Sequence, residues 1–556
     1  MLGISQQFRP LSIAHLEEQF RPSSDDLKHN YNPFLLNSFQ YYQPTYKLLF
    51  DITSQNYNQT QADHRYQMVD LNTVIDTTTG VELKRPVFIK HSPLLDPIRY
   101  MIGKYDIADN AIRTLPDMSG GYPKLATHNN ASYVDGLFYL LSSKLIEKHN
   151  FKHAIEYYGS LCAVQKKHKV NVADDFDYLN ESRFFVEHVG SLFSVSRHRV
   201  SSVVSKPTLA ISEGDISLDV LELDAVDAAV DVPICDIIQE VYEKSVNKQE
   251  EQDEDEEDEE EDEEEDEEED EESDEEEDEE EDEEEEDESE DEEEDEEEEE
   301  EPDENLFAYI DNFPVHMICL EQCEGTLDEL FVRSELDDAK AASALFQVVM
   351  TLLTYQIAFS MTHNDLHTNN IMFSTTTDEF ITYKYKDKYY KVPTYGKIFK
   401  IIDFGRSIYK YNGTQFCSDS FATGGDAATQ YNFEPFYNKK NPRMEPNPSF
   451  DLCRLGCSIY DFLDDKNKTT KELHKTIKRW CLDDNKADVL YKKNGAERYP
   501  DFKLYKMIAK TVHAHTPQAQ LTFPFFQQFQ TKKLKSCDMD LDAIPCYAGN
   551  LRLSPP

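Results

Sequence analysis

The chain carries ten cysteines but no Cys-x-x-Cys pair and no Cys/His spacing suited to zinc. Cys319 and Cys323 fall where a strand is expected to run into a connecting segment, and Cys453 and Cys457 on an expected helix, so packing explains them better. The opening Met1-Leu2-Gly3-Ile4-Ser5-Gln6 lacks a basic segment followed by an apolar one, so no signal peptide is expected. Met-Leu-Gly also does not suit myristoylation. No apolar run reaches the length that crosses a membrane, and Val348 to Met361 is short and interrupted by Thr and Gln. These absences predict a reduced, intracellular protein with no membrane partner.

Positive charge is absent from one long stretch. Between Glu250 and Glu301 every residue is Asp or Glu except Gln252, Ser273 and Ser289, which makes 49 acidic residues of 52. Removing those 49 charges from the formal net charge of −57 leaves −8, ordinary for a folded protein. Such a block repels itself and cannot bury enough apolar surface to offset its ordering entropy, so it is expected to be a disordered linker. It could also attract basic proteins or compete for a basic groove. Ser273 and Ser289 each have an acidic residue three positions later and resemble acidophilic phosphorylation sites.

Residues 1–45 read as a polar N-terminal extension with a short repeat, Gln7-Phe8-Arg9-Pro10-Leu11-Ser12 and Gln19-Phe20-Arg21-Pro22-Ser23-Ser24. From Tyr66 the pattern becomes strand-like. Tyr66 to Leu71 alternates, Thr77-Thr78-Thr79-Gly80 offers a turn, and Val81 to Lys90 reads as the returning strand. Ser132 to Lys148 places Val134, Leu137, Phe138, Leu141 and Leu145 on one helix face, with Asn129 or Asn130 as its cap. Phe151 to Val164 is the next strand candidate, and residues 166–249 read as an insert running into the acidic tract. Val315 to Glu321 reads as a buried strand, and Asp338 to Met361 as a long helix. Ile371-Met372-Phe373 is a short strand, Phe380 to Val392 an inserted hairpin turning at Lys386-Asp387-Lys388, and Ile398 to Ile402 the return.

The chemistry gathers in two segments, His363-Asn364-Asp365-Leu366-His367-Thr368-Asn369-Asn370 and Lys400-Ile401-Ile402-Asp403-Phe404-Gly405. Phosphoryl transfer from a nucleotide needs one carboxylate at the attacking hydroxyl, and hard oxygens to hold a divalent cation against the phosphates. Asp365 could serve the first need, and Asn370 with Asp403 the second. Asp451-Leu452-Cys453-Arg454-Leu455-Gly456 follows in the order that a kinase large lobe requires.

At these residues the chain resembles the protein-kinase superfamily, over roughly residues 66–530. Pro86-Val87-Phe88-Ile89-Lys90 is similar to the V-A-I-K strand, which implies that Lys90 contacts the nucleotide phosphates. The resemblance also implies an acid on the helix over 132–148 that pairs with Lys90. Asp135 and Glu147 are the candidates, and Asp135 is chosen. Glu321 to Glu324, including Cys323, resembles the hinge whose backbone binds adenine. Asp451 resembles the buried Asp that holds the catalytic loop, with a plain helix N-cap as the alternative.

Four departures stand out. Position 364 is Asn where many kinases have Arg, which puts control through an activation-loop phosphate in doubt. Two residues after Asp365 stands His367 where serine/threonine kinases carry Lys; Asp-Leu-His occurs in haspin-like kinases and in aminoglycoside- and choline-type phosphotransferases. No GxGxxG precedes Lys90. No Ala-Pro-Glu follows Asp403, although Gly424-Gly425-Asp426 and Glu434-Pro435 lie in that region.

The resemblance implies an α+β, two-lobed protein-kinase-like fold with a small β-rich N-lobe carrying inserts and a larger helical C-lobe. The expected boundaries are 46–321 for the N-lobe with the acidic tract at 250–304, 322–530 for the C-lobe, and 531–556 for a C-terminal tail. The expected activity is a serine/threonine protein kinase using ATP and Mg²⁺, with Asp365 as base and with protein substrates that include basic ones. Direct nucleic-acid binding is not expected. The inserts and the Tyr- and Asn-rich composition resemble putative kinases of large nucleocytoplasmic DNA viruses, which implies host cytoplasm or the virion as the location. Two alternatives remain: a small-molecule phosphotransferase of this fold, and a catalytically weak acidic scaffold.

Overall fold

The computed structural model describes residues 2–199, 304–463, 471–500 and 502–549. The acidic tract and most of the insert before it lie outside these residues. The chain is a mixed α+β protein with several small sheets. The largest sheet takes strand β1 (Leu36–Gln40). The next three strands, β2 (Tyr66–Asp70), β3 (Thr73–Asp76) and β4 (Glu82–Lys84), form a sheet of their own. Strand β5 (Val87–Pro93) then returns to the large sheet, followed by helix α1 (Ala131–His149), β6 (Tyr157–Asn171), β7 (Phe193–Arg199) and β8 (Glu304–Glu321). The order in that sheet is β1-β6-β8-β5, with β7 pairing the first half of β8. All pairings in it are antiparallel, and Ile318 of β8 stands opposite Lys90 of β5.

The expected hairpin is built differently. A tight turn after Asp70 inserts β3 between β2 and the predicted return, and the stretch Val81–Lys90 is two strands in two sheets. Pro86 has no N–H to continue the ladder and biases Arg85 toward extended backbone, so the chain changes sheets there. The predicted turn is present: Gly80 N–H donates to Asp76 O at 2.7 Å, and Gly80 has φ +73. The next strand starts at Tyr157, later than predicted, and runs to Asn171. Asn130 is the α1 cap, accepting from Ser132 N–H at 3.0 Å.

Among the described residues, neither terminal segment is a detached tail. Residues before 46 supply β1, and Leu2, Leu11 and Leu16 are buried. Both copies of the repeat pack onto the β2–β4 sheet. Arg9 donates to Thr77 O, Gln67 donates to Pro10 O, and Gln19 accepts from Leu71 N–H. The repeat therefore docks within its own chain.

After β8 come helices α2 (Leu327–Val332) and α3 (Asp338–Phe359). Helix α3 has the length and apolarity to cross a membrane, but 89% of its most apolar window is buried inside the protein. Strand β9 (Ile371–Thr375), the hairpin β10 (Phe380–Tyr385) and β11 (Lys388–Pro393), and β12 (Lys397–Ile401) follow. The hairpin turns through Lys386 and Asp387, both at positive φ, and the return strand pairs β9. Helices α4 (Phe450–Tyr460) and α5 (Lys503–Thr511) complete the parts that position the site. Residues expected to form a C-terminal tail pair with the hairpin, Met539 beside Tyr383, and Tyr547 N–H donates to Ala358 O at 2.7 Å. The nine described cysteines are free thiols; Cys235 lies outside the described residues.

Buried histidines give this fold an acid limit. Burial pushes His64, His91, His153 and His316 each down to about 4. The unfolded chain, with histidines near ~6.5, takes up protons first. Their contribution is full above about pH 6.5 and is lost as pH falls toward 4. Melting temperature should fall steadily across that window, and His91→Leu should flatten part of the fall. A His91→Leu curve parallel to wild type would show that other groups set the acid limit.

Candidate active site

The site begins with how closely α1 lies on β8. A Cβ at Gly136 would come within 2.4 Å of His316 Cε1, so only glycine permits that approach. Glycine inside a helix costs about 1 kcal/mol, and here the close packing accounts for it. The adjoining Asp135 is buried and lies 2.9 Å from Lys90 Nζ. Lys90 Nζ also lies 2.9 Å from Asp403 Oδ1. Burial would lower the Lys90 ammonium, but Asp135 and then Asp403 overcome it and hold the group well above its ordinary value. Glu147, the other candidate acid, pairs with Lys144 at 3.3 Å.

Helix α1 also grips the backbone of the Asp403 segment. Phe404 N–H donates to Asp135 Oδ1 at 2.8 Å, and Asp403 N–H donates to the Tyr139 hydroxyl oxygen at 3.0 Å. The Phe404 ring is buried against Phe138, Tyr139 and His363, with centroids 4.5, 5.0 and 5.5 Å away. Asp403 has φ +61, a left-handed conformation that Asp tolerates better than most residues.

The loop carrying Asp365 hangs from Asp451. His363 N–H donates to both Asp451 oxygens, at 3.1 and 2.9 Å, and Asn364 N–H donates to Oδ1 at 2.9 Å. Ser449 holds the N-cap position of α4, so Asp451 supports the loop and does not act as a helix cap. His363 contacts Ile402 O through Nε2 at 2.9 Å and accepts from Asp365 N–H through Nδ1 at 3.3 Å, which sets its tautomer. Asn364, at φ +65, donates to Thr362 O and Arg406 O and accepts from the Tyr431 hydroxyl at 2.9 Å.

Asp365 is half-buried. Burial alone would raise its carboxyl, but Arg406, then His367 and Arg454, draw it down to about 2. Burial pushes His367 down to about 4, so near neutrality the imidazole is uncharged and the two arginines remain. Asn370 donates through Nδ2 to Asp365 O at 2.9 Å, and Nδ2 lies 3.0 Å from His367 Nε2. Asn370 O accepts from Ile402 N–H at 3.0 Å, which joins this loop to Asp403.

With its nitrogen so engaged, the Asn370 amide has Oδ1 open among the described residues. Asp403 keeps Oδ2, on a side chain 43% exposed. Two hard oxygens fit Mg²⁺, which retains several waters and takes few protein ligands. Among the described residues no group of three or more His, Cys, Asp or Glu gathers to hold a metal.

Glu321 ends β8 and Cys323 lies just beyond it, three and five residues past the one paired with Lys90. The Glu321 carboxylate is occupied by Lys400 Nζ at 2.6 and 2.7 Å, and the Glu321 backbone N–H donates to Glu156 O at 2.9 Å. Among the described residues no hydrogen bond engages the backbone N–H or C=O of Cys323. Glu324 N–H is taken by Phe373 O.

Lys90, Asp135 and Asp403 therefore meet directly, Asp365 and Asn370 share the adjoining loop, and Glu321 and Cys323 lie at and just past the end of β8. Tyr139, Arg406, Arg454 and Tyr505 also belong to the site and were not assigned from sequence. Tyr139 follows Asp135 by one helical turn, a spacing that could have marked it. Tyr505, 140 residues beyond Asp365, carries no local signal. No protein-family model matches the chain, and no curated protein matches it.

Asp451→Ala should cost about 3 kcal/mol or more, because it strands two buried N–H groups, those of His363 and Asn364, whereas loss of a helix cap costs about 1 kcal/mol. Urea unfolding of the variant distinguishes the two. A loss near 1 kcal/mol would mean that the loop does not depend on this carboxylate.

Proposed function

We propose that the protein is a phosphotransferase of the protein-kinase type, with a small β-rich lobe and a larger helical lobe, that moves the γ-phosphoryl group of ATP to a serine or threonine hydroxyl. The observation that carries this reading is the meeting of Lys90 with Asp135 and Asp403, beside a loop that presents Asp365 and Asn370. The antiparallel placement of β5 and β6 on either side of β8, with α1 between them in sequence, supports it.

In this reading the backbone around Glu321–Glu324 binds the adenine edge, and Cys323 supplies the unengaged groups. Lys90, kept cationic by Asp135, offers its ammonium to the phosphates. Asp403 Oδ2 and Asn370 Oδ1 would hold Mg²⁺, which when bound offsets negative charge on the phosphates. Asp365 accepts a hydrogen bond from the attacking hydroxyl and aims its oxygen at the phosphorus. A carboxylate drawn down to about 2 is a weak base, so its contribution is orientation more than early proton removal.

One assay tests the reading. Purified protein with radiolabelled ATP and Mg²⁺ is offered a panel of basic and acidic proteins, with Asp365→Asn alongside. Label should appear on Ser or Thr with wild type and fall by about 100-fold or more in the variant. Label on a sugar, choline or aminoglycoside alcohol alone would move the substrate class to small molecules, the direction in which His367 points. ATP binding without transfer to any acceptor would leave a scaffold.

A further inference from the structure

Asp365 is held from outside its own loop. Tyr505 on α5 donates its hydroxyl to Asp365 Oδ1 at 3.0 Å. Arg454 Nε on α4 donates to the same Tyr505 oxygen at 2.9 Å. Tyr505 is only 4% exposed and Arg454 5%. Burial raises the phenol above its ordinary value, so it stays protonated. An oxygen that receives an arginine N–H turns its own hydrogen elsewhere, and Asp365 is the acceptor it meets.

The ring cannot drift. It packs against Phe450 and Phe502 at 5.8 and 5.5 Å, and the Arg454 and Arg406 guanidiniums lie 5.2 and 5.8 Å from its centroid. A terminal carboxylate torsion is otherwise broad, so a lone Asp365 would sample many orientations. His367, the nearby loop residue that could have restrained it, lies beside Asn370 instead.

We infer that Tyr505, backed by Arg454, is a positioning residue that pins Asp365 Oδ1 and thereby presents Oδ2 to the acceptor hydroxyl. This inference rests on the phosphotransferase reading. The competing possibility is that Tyr505 occupies the acceptor's own place and restrains the enzyme. The two predict opposite effects of removing the hydroxyl.

The test uses the full chain with Tyr505→Phe, and with 4-aminophenylalanine at 505 as a variant of the same shape that keeps a donor. Positioning predicts that Tyr505→Phe lowers kcat by about 10- to 100-fold, the scale of a misaligned reacting group. KM for ATP should stay within about twofold, because Tyr505 contacts no proposed nucleotide-binding group. The amino variant should recover most of the rate, and in an Asp365→Asn background Tyr505→Phe should have no further effect. An unchanged or increased kcat in Tyr505→Phe overturns the inference, as does a parallel loss of ATP binding. A spectroscopic arm covers poor folding of that variant and separates this inference from the reading beneath it. The ¹⁹F resonance of 3-fluorotyrosine at 505 should move when Asp365 becomes Asn. A resonance that stays fixed removes the contact itself. If the resonance moves on that replacement but the protein with Asp365 intact transfers no phosphoryl group to any acceptor, the contact stands and both the phosphotransferase reading and the positioning role are overturned.

Discussion

An ammonium between two carboxylates organises this molecule. Asp135 is 1% exposed, and a lone ionised carboxylate so placed would cost several kcal/mol. Lys90 at 2.9 Å makes that burial tolerable, and its second contact, with Asp403, ties β5 and α1 to a segment more than 260 residues away in sequence. The same Asp135 carboxylate accepts Phe404 N–H, so one side chain serves both the ion pair and the backbone of the neighbouring segment. The helix reaches this position only because Gly136 lets it lie against His316.

A second buried acid performs the matching task from the other side. Burial pushes the Asp451 carboxyl up, while the His363 side chain and the backbone N–H groups of His363 and Asn364 oppose that rise. These bonds hold a loop whose Asn364 adopts a left-handed backbone, and Asp403 does the same across the site. Such conformations are sparsely populated and persist where surrounding contacts over-determine them. Asp451, Asp135 and Tyr139 supply those contacts.

The segment between Asp403 and α4 is fastened by ordinary side chains. Arg99 pairs with Asp426 at 2.6 Å and donates to Gly424 O at 3.0 Å, and Lys124 pairs with Asp419 at 2.8 Å. Asp419 N–H donates to Asn129 O at 2.7 Å, and the Tyr431 hydroxyl reaches Asn364. At position 364 a neutral amide meets the tyrosine. Residues between β5 and α1 supply these anchors, and partly exposed pairs of this kind each contribute about 1 kcal/mol or less.

The sequence by itself determined the local elements and the polar residues that share a motif. Spacing alone placed α1, α3 and the hairpin turning at Lys386-Asp387, because 3.6- and 2-residue periods and a tight turn are properties of adjacent residues. It also marked Asp365, Asn370, Asp403 and Asp451 as a set, but left both Asp135 and Glu147 as acids on α1, and the fold brought Asp135 to Lys90 and Glu147 to Lys144. Tertiary structure decided what periodicity cannot encode: that Pro86 carries the chain from one sheet to another, and that both terminal segments belong to the folded body. It alone brought Tyr505 and Arg454 to Asp365, since contacts between helices distant in sequence depend on how their faces pack. An amphipathic pattern tells which face is buried and is silent on which distant partner that face will meet.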